Sequence, residues 1–220
     1  MSGTRRHERA VSSAEEYSVT PLLETDLDPD PFVQFGRWFD AAKAAGIAMP
    51  EAMTVATSGL DGEVSARVCL LKSFDHRGFA FYTNYCSRKA KQLHDNPRAA
   101  LVFWWQSQER QVRIEGAVVR TTEEESDEYF ATRPRGSQLG AWASEQSRVL
   151  AGRGALDARF EELSTTYRDV PIPRPPHWGG YRVIPLLFEF WQGRTDRLHD
   201  RFWYRLRNDV KDWVVERLSP

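Results

Sequence analysis

Cysteine is scarce in this chain. Two residues, Cys69 and Cys86, among 220 cannot build a disulfide framework, so a cytoplasmic protein with reduced thiols is expected. No apolar run approaches the roughly eighteen residues of a membrane span, and the charged N-terminal stretch Met1–Ala10 has no apolar core of a signal peptide. Net charge is nearly absent as well. Thirty Lys and Arg against 31 Asp and Glu leave −1, which argues against bulk attraction to nucleic acid or a membrane surface and makes any basic site local. Also missing are a G-x-G-x-x-G fingerprint, a Walker loop, a G-x-S-x-G elbow and any metal-ligand spacing; His76, His94 and His177 are scattered.

What is present suffices for one large domain: 41% of residues are hydrophobic. That domain is expected over residues 31–220, behind a polar, mobile arm of residues 1–30 that ends in Asp28-Pro29-Asp30-Pro31. Phe32, Phe35, Trp38, Phe39, Ala42 and Ala45 recur at helical spacing, and Gly46 stops them. The period then changes to two. Residues 52–57 read as a strand and 58–62 as a turn; Val64, Ala66, Val68 and Leu70 then alternate with Ser65, Arg67, Cys69 and Leu71 in a second strand that delivers Arg67 and Lys72. Further strands are expected over 79–84, 99–105, 110–120, 181–184, 187–191, 201–207 and 213–217. Helices are expected over 87–96, from a Thr122/Glu125 capping box to Arg133, from 137 towards 147, and over 156–167 ahead of a proline-rich connector. Strands dominate without regular strand–helix alternation, which favours an antiparallel barrel with inserted helices over a parallel α/β sheet.

Basic residues gather in four places: Arg67 with Lys72, Arg88 with Lys89, Arg133 with Arg135, and Arg197, His199 and Arg201. Any one of these reads as ordinary solvated charge. Together, and close to Thr83, Ser87, Gln111, Ser137, Gln146 and Ser147, they suit two phosphorylated ligands. Two placements are informative. Arg88 and Lys89 stand in the first turn of a helix, where cations oppose the macrodipole unless an anion binds there. The stretch Glu189–Arg201 sets Phe190-Trp191 beside Gly193 and then crowds in charge that an apolar core cannot hold unpartnered. Trp104 and Trp105 read as core or interface aromatics, and Glu123–Glu125 as an acidic first turn of a helix.

These stretches also occur in a recognisable order. Arg67-Val68-Cys69-Leu70-Leu71-Lys72, Phe81-Tyr82-Thr83-Asn84, Ser87-Arg88-Lys89-Ala90, Glu109-Arg110-Gln111-Val112, the run from Arg133 to Trp142, Trp178-Gly179-Gly180 and the 189–201 stretch together resemble the pyridoxine/pyridoxamine 5'-phosphate oxidase family, from about Asp26 to the terminal Pro220. The resemblance implies a mainly β fold with inserted helices, an FMN-binding split β-barrel that forms a homodimer with FMN at the subunit interface. It implies oxidation of pyridoxine or pyridoxamine 5'-phosphate to pyridoxal 5'-phosphate, with oxygen as acceptor and hydrogen peroxide released. No metal, nucleic acid or membrane is expected as a partner.

By motif position, the resemblance assigns Arg67, Val68, Cys69, Leu70, Leu71, Lys72, Tyr82, Thr83, Arg88, Lys89, Gln111, Gln146, Ser147, Trp191 and Arg201 to FMN. Lys72 also faces the substrate, whose phosphate falls to Tyr129, Arg133 and Ser137. Arg197 and His199, with Leu198 between them, lie against the pyridine ring as the catalytic pair, and Tyr17 reaches over from the arm. Dianionic phosphates need several charge-assisted hydrogen bonds, and the hydride chemistry belongs to the cofactor, so these residue types fit the task. The chain departs from the family's bacterial pattern in the arm: Ala14 replaces an Arg, and Leu22, Leu23 and Glu24 replace basic residues ahead of Asp26-Leu27. A phenazine-pathway flavin oxidase of the same fold, or a non-catalytic FMN or pyridoxal phosphate carrier, is the alternative.

Overall fold

The computed structural model describes residues 20–207 and 212–220. Tyr17 and Ala14, expected over the site, lie outside the described residues. Residues 20–30, expected as part of a mobile arm, are docked instead: Leu22 is 5% exposed within the core, and the Leu22 amide donates to Asp200 Oδ2 at 3.1 Å. An apolar side chain at the edge of a polar segment is enough to seat it.

Asp30 caps α1 (Pro31–Ala44) by accepting from the Phe32 amide at 2.8 Å, with Pro31 in the first turn where its missing N–H costs nothing. Phe35, Trp38, Phe39 and Ala42 form its buried face, and Phe35 meets Phe74, Phe79, Phe103 and Trp105 at centroid distances of 4.9 to 6.1 Å. Each such side chain contributes on the order of 2–3 kcal/mol by leaving water.

Among the described residues nine strands make one antiparallel sheet: β1 (Ala52–Ser58), β2 (Val64–Leu70), β3 (Ser73–Asp75), β4 (Gly78–Asn84), β5 (Arg98–Trp105), β6 (Arg110–Arg120), β7 (Trp178–Gln192), β8 (Asp200–Arg207) and β9 (Asp212–Leu218). The order is β2-β1-β5-β6-β7-β4-β3, and β8 joins β7 on one side and β9 on the other. β6 pairs along most of β7. The opposite edge of β7 is shared: residues 178–183 pair with β4 and 187–192 with β8. The backbone link from the Lys72 amide to the Ala80 carbonyl, 2.9 Å, draws the β2 end round to β4, so the sheet curls into the expected half-barrel.

One strand expectation needs correction. The break read at Pro185 between two short strands is a bulge within one strand of 15 residues. Gly116 stands opposite, where a Cβ would meet the Ile184 carbonyl oxygen at 2.0 Å, and Pro185 has no N–H to lose, so the ladder shifts register there and continues. In β2 the alternation is inverted relative to a simple amphipathic strand: Val64 and Val68 are 73% and 68% exposed, while Ser65, Arg67 and Cys69 turn inward.

α2 (Arg88–Asp95) packs near β1, capped by Ser87. Three further helices, α3 (Glu123–Thr132), α4 (Arg135–Ala143) and α5 (Arg153–Thr166), lie between β6 and β7, where Phe130, Leu139, Leu163, Ile172 and Trp178 form a second small core. α4 ends at Ala143, earlier than the expected run towards 147, so Gln146 and Ser147 sit on a loop.

Candidate active site

Half of the expected site residues converge on one cleft of about 630 Å³, walled by β2, β4, α3 and α4, a volume usual for a small-molecule site. Val68, Cys69, Leu70, Lys72, Tyr82, Thr83, Lys89, Tyr129, Arg133, Ser137 and Gln146 all line it. The Thr122/Glu125 capping box starts α3 so that Tyr129 projects from its last turn, and Arg133 follows as its C-cap. Tyr82, Tyr129 and Trp178 stack, with centroids 4.2 Å apart for the tyrosine pair and 5.5 Å from Tyr82 to Trp178. Gly179 and Gly180 make this possible: a Cβ on Gly180 would lie 2.8 Å from the Tyr82 ring, and one on Gly179 would meet the Tyr85 hydroxyl at 2.2 Å.

The charges of this cleft are unbalanced. The Arg133 guanidinium lies 4.6 Å from the Trp178 ring centroid, and its buried Nη1 has no hydrogen-bond partner. Lys89, buried, donates to Thr83 Oγ1 at 2.9 Å and Gln146 Oε1 at 3.0 Å, neutral acceptors both. Arg67, which stands on β2 beside the cleft and not in its lining, donates to Thr57 Oγ1 and the Val55 carbonyl, again neutral, and Thr57 and Ser65 in turn donate to Gln92 Oε1. Among the described residues none of these three cations pairs with a carboxylate, and burial pushes all three below their ordinary pKa. Burial also raises the Cys69 thiol, so it does not supply the missing anion. Buried cations without counter-charge await an anion. Arg88 and Ser147 border an adjoining depression, where Arg88 reaches Glu63 at 3.2 Å.

One assigned residue, Leu71, and one grouped basic residue, Arg135, make other contacts. Leu71 packs its side chain into the core rather than the cleft, and Arg135, grouped with Arg133 on sequence, bonds the carbonyls of Tyr167, Arg168 and Val170 behind α5. Trp178 is the residue that sequence reasoning missed. Its signal was an aromatic directly before two glycines, the mark of a close approach between strands.

Gln111, Trp191, Arg197, Leu198, His199 and Arg201 do not line this cleft. Gln111, Trp191 and Arg201 are direct neighbours across β6, β7 and β8. The His199 ring stands 4.5 Å from Trp191, and its Nδ1 accepts from the Arg194 amide at 3.1 Å, so the neutral ring carries its proton at Nε2. Burial, then Arg197 and Arg201, lower the His199 pKa and favour that neutral form. Arg201 donates to Glu189 Oε1 at 3.0 Å and the Ser219 carbonyl at 2.8 Å, and Glu189, 3% exposed, also accepts from Arg113 at 3.0 Å. Trp178 and Trp191 bracket β7, so the two clusters are separated by roughly 40 Å of strand.

The chain matches known proteins over nearly its whole length. Residues 39–167 match the pyridoxamine 5'-phosphate oxidase family, and residues 178–220 match the pyridoxine 5'-phosphate oxidase C-terminal dimerisation region. The pyridoxine/pyridoxamine 5'-phosphate oxidase of Acaryochloris marina is 56% identical over 205 residues, 93% of each chain. That of Rubrobacter xylanophilus is also 56% identical, over 93% of this chain and 94% of the relative. Among solved structures, PhzG from Burkholderia lata in complex with tetrahydrophenazine-1-carboxylic acid superposes with a TM-score of 0.86 at 35% identity, covering 93% of this chain and all of that one. A pyridoxamine 5'-phosphate oxidase-related, FMN-binding protein of Nostoc punctiforme has a TM-score of 0.69 at 17% identity over 87% of this chain and 98% of that one, a likeness of fold.

Proposed function

Because the chain belongs to the pyridoxamine 5'-phosphate oxidase family, we propose that its β2–β4–α3–α4 cleft holds FMN and a vitamin B6 phosphate and oxidises the latter to pyridoxal 5'-phosphate. The protein is an FMN-dependent pyridoxine/pyridoxamine 5'-phosphate oxidase and a homodimer. The observation that carries the assignment of the site is the set of cations, buried Lys89 and half-buried Arg67 and Arg133, that the chain itself leaves without carboxylates.

FMN, when bound, supplies the two-electron acceptor, and oxygen restores it with release of peroxide. The chain's own residues bind and orient. Lys89, with Thr83 and Gln146 in the cleft and Arg67 and Arg88 beside it, faces the flavin side, while Arg133, Ser137, Tyr129 and Lys72 take the substrate phosphate. The stacked Tyr82 and Tyr129 form an apolar wall that limits water. Arg197 and His199 meet the pyridine ring; Nε2–H of the neutral His199 donates to the substrate and holds its reacting carbon in place.

One chain does not bring its two clusters together, so each site takes its phosphate end from one protomer and Gln111, Trp191, Arg197, His199 and Arg201 from the partner. FMN then lies at the interface. The exposed Val64 and Val68 of β2 and the half-exposed Trp104 beside Trp191 suit such a contact.

The test is to incubate the FMN-loaded protein with pyridoxine 5'-phosphate in air and follow pyridoxal phosphate and peroxide together. Equal yields are expected; binding without either product would overturn the reading. The likeness to PhzG supports a phenazine precursor as a second substrate class. Turnover of a reduced phenazine carboxylate, with none of the B6 phosphate, would favour it.

A further inference from the structure

The turn that carries Arg197 and His199 is built on unfavourable backbone. Asp196 and Arg197 in succession adopt left-handed angles, φ 56° and 60°, which non-glycine residues hold only where their surroundings impose it. The restraint comes from outside the turn. Asp200 Oδ1 accepts from Arg217 Nη1 at 2.7 Å, and its Oδ2 accepts from the Leu22 amide at 3.1 Å and from Arg194 Nη1 at 3.5 Å. Arg194 in turn donates its amide to His199 Nδ1. On its other side Arg217 grips both carboxylate oxygens of Glu24, at 2.7 and 2.9 Å, and the Leu22 carbonyl at 3.3 Å. Leu22 is sunk in the core, so this end of the clasp is fixed.

We infer that Arg217, with Glu24 as its counter-charge, is a positioning residue for the Arg197–His199 turn, acting through Asp200. The inference rests on the reading of Arg197 and His199 as substrate-facing. Neither Arg217 nor Glu24 lines the cleft where FMN and the substrate phosphate are placed. Four donor contacts from one planar guanidinium fix direction as well as charge, which a lysine reproduces only in part.

The experiment uses the FMN-loaded dimer and the variants Arg217→Gln, Arg217→Lys, Glu24→Gln and the double glutamine variant. Arg217→Gln is expected to lower kcat for pyridoxine 5'-phosphate about tenfold, with KM and FMN affinity within about twofold because the phosphates are held at the other end of β7. Arg217→Lys recovers part of that loss. The double variant is no worse than Arg217→Gln, since both substitutions cut one path. As a readout independent of turnover, amide exchange across residues 193–199 should quicken about tenfold in Arg217→Gln while β4 and β6 keep wild-type protection. Unchanged exchange in that segment, or wild-type kcat in an active preparation, would overturn the clasp. If the wild-type enzyme oxidises no B6 phosphate, the functional reading fails on its own and the exchange result alone decides the clasp.

Discussion

The two ends of β7 treat arginine in opposite ways. At the Trp178 end, Arg133 leans on an aromatic face with a buried nitrogen unpaired, and Lys89 and Arg67 meet only hydroxyls, amides and a carbonyl. At the Trp191 end, Arg201 and Arg113 share Glu189, while Arg194 and Arg217 share Asp200. The first end leaves its cations without counter-charge, as the proposed phosphate site requires. The second neutralises its cations internally and thereby holds a shape. Both are rich in Arg, and the distribution of carboxylates distinguishes them.

Supplying the missing carboxylate should erase that difference most severely. Ser137→Asp places an anion beside Arg133 in the cleft; like charge against the substrate phosphate costs several kcal/mol, and KM for pyridoxine 5'-phosphate should rise roughly a thousandfold. Steady-state kinetics check this, with an unchanged or higher Tm confirming that the fold survives. Removing a carboxylate from the other end should act on the fold instead. Glu189→Gln leaves Arg113 and Arg201 facing a neutral buried group, a loss of about 3 kcal/mol in chemical denaturation, and a variant as stable as wild type would show the shared carboxylate to be dispensable. The third pair separates the ligands. Arg67→Ala should weaken FMN about thirtyfold, equivalent to about 2 kcal/mol, measured by quenching of flavin fluorescence, whereas Arg197→Ala should lower turnover with FMN still bound. Equal FMN loss in both would merge the two ends into one site.

The smallest effect is in acid. Glu24 has its pKa lowered from 4.5 to about 2, first by the hydrogen bond from Arg217. A carboxylate depressed on folding adds stability that is complete above pH 4.5 and fades as pH falls towards 2. Glu24 is exposed, so the gain is small. The Tm difference between wild type and Glu24→Gln should be present at neutral pH and vanish across that window; a constant difference would place the effect elsewhere.

Local order was legible in the sequence wherever one rule governed a segment. The helical spacing from Phe32 to Ala45 marked α1, Thr122 and Glu125 opened α3, and the alternation of Val112 and Ile114 set β6. Pro185 misled because a proline is normally a stop, and only its partner Gly116, on another strand, lets the ladder pass it. The faces of β2 were illegible for a related reason: its valines point to a surface that a single chain does not supply. Site residues were named through an ordered set of motifs, yet motif order carries no distance, so the separation of Arg133 from Arg197 emerged only with the sheet. Arg217, Asp200 and Glu24 bear no local pattern at all, since their contacts span up to 195 residues of chain.

The length of β7 has a consequence in the language of genetics. If each site is assembled from the Trp178 end of one protomer and the Trp191 end of its partner, the two ends are separable functions inherited on one polypeptide. A subunit defective at Arg133 and a subunit defective at Arg197 are each inactive when paired with themselves. Paired with one another, they place both lesions in one site and leave the other intact, so two null alleles would complement.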